Sequence, residues 1–243
     1  MSDYISNLKA PDLRKYFTHT TSRVMGHSLG HEVMSDWADK ADDDPVFGIY
    51  KQCGMWTRDE AAILYTCALR SPGWWLDIGA HTGWTTAHIA ATGSTVSSID
   101  YMLRTQGFQD RFEENLRHCW GNIRRVWHVK SDEYFETAQI PDFAGCVIDG
   151  DHNPPQPLRD AQNCAEHLRE TGVILLHDFT GEPVQEAALW LMDHGFRCRL
   201  YWTPHMIACC YRGEFVPPLH DPDPAVEVML KDGRIKFPFG RCT

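Results

Sequence analysis

The feature that most constrains this chain is a regular alternation, from Thr57 to Tyr211, of short apolar runs with longer amphipathic segments. Apolar runs at Trp74 to Ile78, Thr95 to Ile99, Val126 to Lys130, Cys146 to Ile148 and Val173 to Leu176 are bounded by turn residues and read as strands. Between them, Trp84 to Ala91, Gly107 to Cys119, Leu158 to Glu170 and Pro183 to His194 carry helical periodicity. Phe196 to Tyr201 and Met206 to Tyr211 read as two closing strands. A strand buried by helices on both sides is apolar throughout, so this order predicts an α/β doubly wound, Rossmann-like seven-stranded sheet with helices on both faces. Ahead of it, Thr57 and Glu60 form a predicted capping box, with Ala61, Ile63, Leu64, Cys67 and Ala68 on one helical face.

Three segments follow: an N-terminal helical lid or dimerisation arm over residues 1–50, the sheet domain over 51–213, and an irregular Pro-rich strap over 214–243. The formal charge of −10 argues against a nucleic-acid-binding face, which needs clustered Lys and Arg. No apolar stretch is long enough for a bilayer, and Met1-Ser2-Asp3-Tyr4 opens no basic, then apolar, leader. Nine cysteines, without C-x-x-C spacing and partly inside apolar runs, fit reduced thiols in a soluble cytoplasmic protein. His27 and His31 lie one helical turn apart, but with no evident third ligand they are read as lid or surface residues.

In an open α/β sheet, ligands bind beyond the carboxyl ends of the strands. The first strand ends in Asp77-Ile78-Gly79-Ala80-His81-Thr82-Gly83, where Gly79 and Gly83 permit a tight turn and close approach of a ligand. The second closes on Asp100, seventeen residues after Gly83, where a carboxylate can accept ribose hydroxyls. This D-x-G-x-x-x-G with its distal acid resembles the class I S-adenosylmethionine-dependent methyltransferases. The resemblance implies S-adenosylmethionine as cofactor, with Asp77, Gly79, Ala80, His81, Gly83, Asp100 and Asp149 around it and Ser131-Asp132 at the adenine. Ser-Asp also caps helices well, so a local role competes at that last position.

The fourth strand runs into Asp149-Gly150-Asp151-His152 and the fifth into His177-Asp178-Phe179. Together these are similar to a bacterial family of metal-dependent sugar O-methyltransferases and cephalosporin-tailoring proteins, with Gly54 to Ala62 as its lead-in helix. That resemblance implies natural-product chemistry on a small-molecule acceptor by a homo-oligomer. It also implies a divalent metal, Mg²⁺ or Mn²⁺, on Asp151, His177 and Asp178, with Asp151, His152 or His177 in catalytic roles. The pattern departs from the family at Asn153-Pro154-Pro155 and at His177, so a metal-free site with one histidine base stays open. Two other classes are weighed: a glycosyltransferase using Asp149-Gly150-Asp151 as its D-x-D, and a non-catalytic S-adenosylmethionine-binding protein.

Overall fold

The computed structural model describes residues 7–13, 16–17, 56–203 and 205–231. The arm expected over 1–50, with His27 and His31, lies outside these apart from residues 7–13 and 16–17. Within those short stretches Leu13 and Phe17 are buried in the core, and Phe17 meets Trp84 edge-on at 5.0 Å.

Seven strands form one sheet in the order β3-β2-β1-β4-β5-β7-β6. They are β1 (Trp74–Ile78), β2 (Thr95–Ile99), β3 (Ile123–Trp127), β4 (Phe143–Ile148), β5 (Leu168–Leu176), β6 (Arg197–Tyr201) and β7 (Ile207–Tyr211). The first five are parallel, whereas β7 inserts antiparallel between β5 and β6. The helices among the described residues are α1 (Arg58–Arg70), α2 (Trp84–Ala90), α3 (Gln106–Leu116), α4 (Ser131–Thr137), α5 (Gln156–His167), α6 (Glu182–Asp193) and α7 (Pro224–Lys231). Of these, α7 lies in the tail expected to be irregular, and α4 stands where only a capping pair was read. None of the helices among the described residues is long and apolar enough to cross a membrane.

Alternation along the strands splits the core between two faces. Trp75, Val147, Val173 and Leu175 join Ile63 and Leu64 of α1, Ala87 of α2 and Phe112 of α3 on one side. Leu76, Cys146, Ile174 and Leu176 join Tyr134 of α4, Ala161 of α5 and Leu191 of α6 on the other. Each fully buried aliphatic side chain contributes about 1.5–3 kcal/mol of transfer free energy, which is why the central strands carry no exposed face.

The edge strand β3 begins three residues before the expected run, because Arg124 and Arg125 sit inside it. Both are accommodated over indoles, Arg124 on Trp74 at 4.9 Å and Arg125 on Trp127 at 3.9 Å. At the other end, α1 starts from the predicted box: Glu60 N donates to Thr57 Oγ1 at 3.3 Å and Thr57 N to Glu60 Oε2 at 2.7 Å.

The parallel ladder continues past the carboxyl ends and stacks the loops that follow. Gly79 N donates to Ile99 O, Asp149 N to Ile78 O, and His177 N to Ile148 O, which brings the ends of β1, β4 and β5 together at the point where strand order reverses.

Candidate active site

A cavity of about 730 Å³ opens over this edge, lined by Gly79 and His81 from the first loop, Asp100 to Met102, Val129 to Asp132, Asp149 to His152, Gln156 and Asp178. Its size suits a small ligand, and its wall carries five carboxylates against one lysine, Lys130.

Gly79 holds φ +88°, and a Cβ there would lie 2.0 Å from the Asp149 carbonyl oxygen, so the β1 loop lies directly on the end of β4. Gly83 holds φ +92° and starts α2. His81 also has positive φ, at 46°, and its amide donates to Asp100 Oδ2 at 2.6 Å. The second Asp100 oxygen accepts from Met102 N at 2.7 Å, so this carboxylate ties the first loop to the turn after β2. Asp77 lies beneath the loop, fully buried, with Oδ2 accepting from the hydroxyls of Thr85 at 2.7 Å and Thr86 at 2.5 Å. Oδ1 has no partner among the described residues, and burial pushes the carboxyl up to about 7 against the pull of those hydroxyls.

Four ionisable side chains converge where β4 and β5 end. His152 Nε2 stands 3.5 Å from Asp149 Oδ1 and 3.4 Å from Asp178 Oδ2, and His177 Nδ1 stands 3.1 and 3.5 Å from the same two oxygens. Asp149, His152 and Asp178 offer ligand atoms that all lie within 4.8 Å of one another, and buried Glu60, His177 and His205 do the same behind them. Burial alone would raise Asp149, but His177 and His152 beside it hold the carboxyl well below the usual range. Burial likewise opposes ionisation of Asp178, and His177 overrides it. The hydrogen bond with Asp149 raises His152. Asp178 adopts φ 56°, a strained conformation that turns its side chain towards the cluster.

Residues 76–179 match the family model described as a methyltransferase domain. The O-methyltransferase TomG from Streptomyces achromogenes, involved in tomaymycin synthesis and solved with S-adenosylmethionine, shares the fold. It is 11% identical with a TM-score of 0.55, over 84% of this chain and 100% of that one. Over that segment the chain is similar to a methyltransferase domain, and it shares the fold of these solved structures. The precorrin-6y C5,15-methyltransferase of Geobacter metallireducens is 17% identical with a TM-score of 0.53, over 64% of this chain and 90% of that one. An O-methyltransferase of Bacillus cereus, solved with S-adenosylhomocysteine, is 14% identical with a TM-score of 0.50, over 74% and 89%. No curated protein matches the chain.

Of the residues expected around the cofactor, Gly79, His81, Asp100, Ser131, Asp132 and Asp149 line the cavity. Asp77 and Ala80 are buried, and with Gly83 they build the loop from below, so Asp77 supports the turn where a direct contact was expected. The expected metal trio of Asp151, His177 and Asp178 does not converge. Asp151 is exposed, and its Oδ1 accepts from Asn153 N at 2.9 Å and Asn153 Nδ2 at 2.7 Å, which also lowers its pKa. His177 is fully buried, so of the three expected catalytic residues only Asp151 and His152 line the cavity. The D-x-D reading fails on the same geometry, because Asp149 points into the cluster and Asp151 turns to Asn153.

Sequence reading missed three participants. Trp56 donates from Nε1 to Asp149 Oδ2 at 2.6 Å and stacks on His177 at 4.5 Å. Glu60, read only as a cap, also meets His177 and His205. Gln156 Nε2 reaches Ser131 Oγ at 3.0 Å, Asp132 Oδ1 at 3.1 Å and Asp160 Oδ1 at 2.9 Å, closing the far end of the cavity.

Proposed function

We propose that the chain transfers the methyl group of S-adenosylmethionine to a hydroxyl oxygen of a small-molecule acceptor, with a divalent cation at the ends of β4 and β5. The observation that carries this reading is the acidic cavity. Five carboxylates facing one lysine repel a phosphate-bearing cofactor and favour a donor that carries a sulfonium and an ammonium group. Asp100 stands at the end of β2, where ribose hydroxyls reach a carboxylate, and Ser131, Asp132 and Gln156 offer polar atoms to a base.

The carboxylate oxygens of Asp149 and Asp178 lie within 4.8 Å of each other on the cavity wall and would hold a divalent cation. A cation bound there supplies charge that lowers the pKa of an acceptor hydroxyl. His152, with a side chain 40% exposed, is the base: its Nε2–H faces Asp149 and Asp178, which orient the ring and stabilise the imidazolium that forms when Nδ1 takes the hydroxyl proton. The acceptor oxygen then bonds to the methyl carbon as the carbon–sulfur bond breaks, leaving S-adenosylhomocysteine. The rigid loops at Gly79, Asp100 and Asp178 contribute orientation, which is where most of the rate enhancement of such a displacement arises.

Calorimetric titration with S-adenosylhomocysteine tests the cofactor reading, and micromolar binding is expected. Release of S-adenosylhomocysteine during incubation with a panel of monohydroxy and vicinal dihydroxy acceptors, with Mn²⁺ and with EDTA, tests the rest. Turnover that survives EDTA undiminished rules out the cation.

A further inference from the structure

The imidazole of His177 is held from three directions, two of them by Trp56 and Glu60, which precede the matched segment 76–179, and the third by Asp149 and Asp178 within it. Trp56 stacks on it at 4.5 Å with planes 13° apart, fixing the plane of the ring. Within that plane Nε2 faces Glu60 Oε2 at 3.5 Å, while Nδ1 faces Asp149 Oδ1 at 3.1 Å and Asp178 Oδ2 at 3.5 Å. Glu60 is fully buried and itself fixed: Oε2 accepts from Thr57 N at 2.7 Å, and Oε1 from His205 N at 3.0 Å. His205 Nδ1 closes on Oε2 at 3.0 Å. A carboxylate with this many donors has one orientation, so the nitrogen it faces has one too.

A histidine that binds a metal through one ring nitrogen characteristically presents the other to a carboxylate, which fixes the ring and makes the ligating nitrogen more basic. Glu60, His177 and the Asp149/Asp178 pair reproduce that arrangement in a line from the buried first turn of α1 to the cavity. We propose that Glu60 is the positioning residue of the cation site: it holds His177 so that Nδ1 joins Asp149 and Asp178 as a nitrogen donor, which moves the site's preference from Mg²⁺ towards Mn²⁺ and other first-row transition ions. The inference rests on the reading in which Asp149 and Asp178 hold a divalent cation. Imidazole nitrogen is a poor ligand for Mg²⁺, which keeps oxygen ligands and water, and a good one for transition ions. The first turn of α1 thus sets cation choice without touching the cavity.

The test uses the full-length protein and Mn²⁺ as probe. Bound Mn²⁺ is followed by electron paramagnetic resonance, with Mg²⁺ as competitor. Wild-type protein should prefer Mn²⁺ by at least about ten-fold, and its pulsed spectrum should show nitrogen coupling that survives His152→Ala. Glu60→Gln should weaken Mn²⁺ by about 10- to 100-fold and narrow the Mn²⁺/Mg²⁺ ratio. Thr57→Ala removes the other half of the capping box and leaves the line to His177 intact. It should lower the melting temperature and leave that ratio unchanged. A Mn²⁺/Mg²⁺ ratio that is the same in wild type and Glu60→Gln overturns the inference. So does Mn²⁺ bound without nitrogen coupling in His152→Ala, which needs no folded Glu60 variant. Wild-type protein that binds neither ion removes the cation reading itself, and the inference falls with it.

Discussion

Asp77→Asn isolates the cost of the carboxylate that the first loop is built on. Asp77 is fully buried beneath the β1 loop, and burial carries its pKa from 3.8 to about 7. Because the folded state holds the proton more tightly than the unfolded chain, this group contributes most at acid pH and loses stability as pH rises from about 4 to about 7. At about 1.36 kcal/mol per unit, the full loss across that window is about 4 kcal/mol, of which about 2–3 kcal/mol falls between pH 5 and pH 8. Asparagine keeps the shape and an oxygen for the Thr85 and Thr86 hydroxyls, and it has no charge to bury. Urea denaturation of wild type and Asp77→Asn at pH 5 and pH 8 therefore gives a double difference in which the other titrating groups cancel. The variant should gain about 2–3 kcal/mol on the wild type between the two values. A difference that stays constant with pH would show that the Asp77 carboxyl titrates normally and that the burial argument is wrong.

Two further substitutions probe the loop and the cluster. Gly79→Ala places a Cβ 2.0 Å from the Asp149 carbonyl oxygen at φ +88°, so it should cost about 3 kcal/mol or more and abolish S-adenosylhomocysteine binding in calorimetry. Unchanged melting with micromolar binding would refute the close approach. Trp56→Phe keeps a ring over His177 but removes the 2.6 Å donation to Asp149 Oδ2. It should lower unfolding free energy by about 1.5–3 kcal/mol, the range for a hydrogen bond to a charged group, and a loss under about 0.5 kcal/mol would deny that bond.

Strands β1 and β2 were legible to the residue, because each is a short run of apolar and β-branched or small residues, and that of Trp74 to Ile78 is bounded by Gly73 and Gly79. The capping box at Thr57 and Glu60 was legible for the same reason: it is a contact between residues three apart. Where the neighbouring strand or helix decides, the reading slipped. The arginines of β3 are tolerated only because indoles lie beside them, and β5 begins at Leu168 because that residue pairs with Phe143 of β4. The antiparallel insertion of β7 between β5 and β6 likewise depends on pairing across the sheet.

The sequence by itself determined the layered α/β class, the loop at Gly79 and the acid at Asp100, since each is local: periodicity over a few residues, a backbone that only glycine adopts easily, and a carboxylate at a strand end. It also named His152, His177 and Asp178 as site residues. Tertiary structure alone decided which groups meet. Adjacency in the chain placed Asp151 beside His152, but the hydrogen bonds from Asn153 turn Asp151 aside and leave Asp149 to face the histidines. The partners that fix His177, Trp56 and Glu60, lie 121 and 117 residues away. They are brought there by the packing of α1 against the sheet, and a contact over that separation is set by the fold and leaves no periodic trace in the sequence.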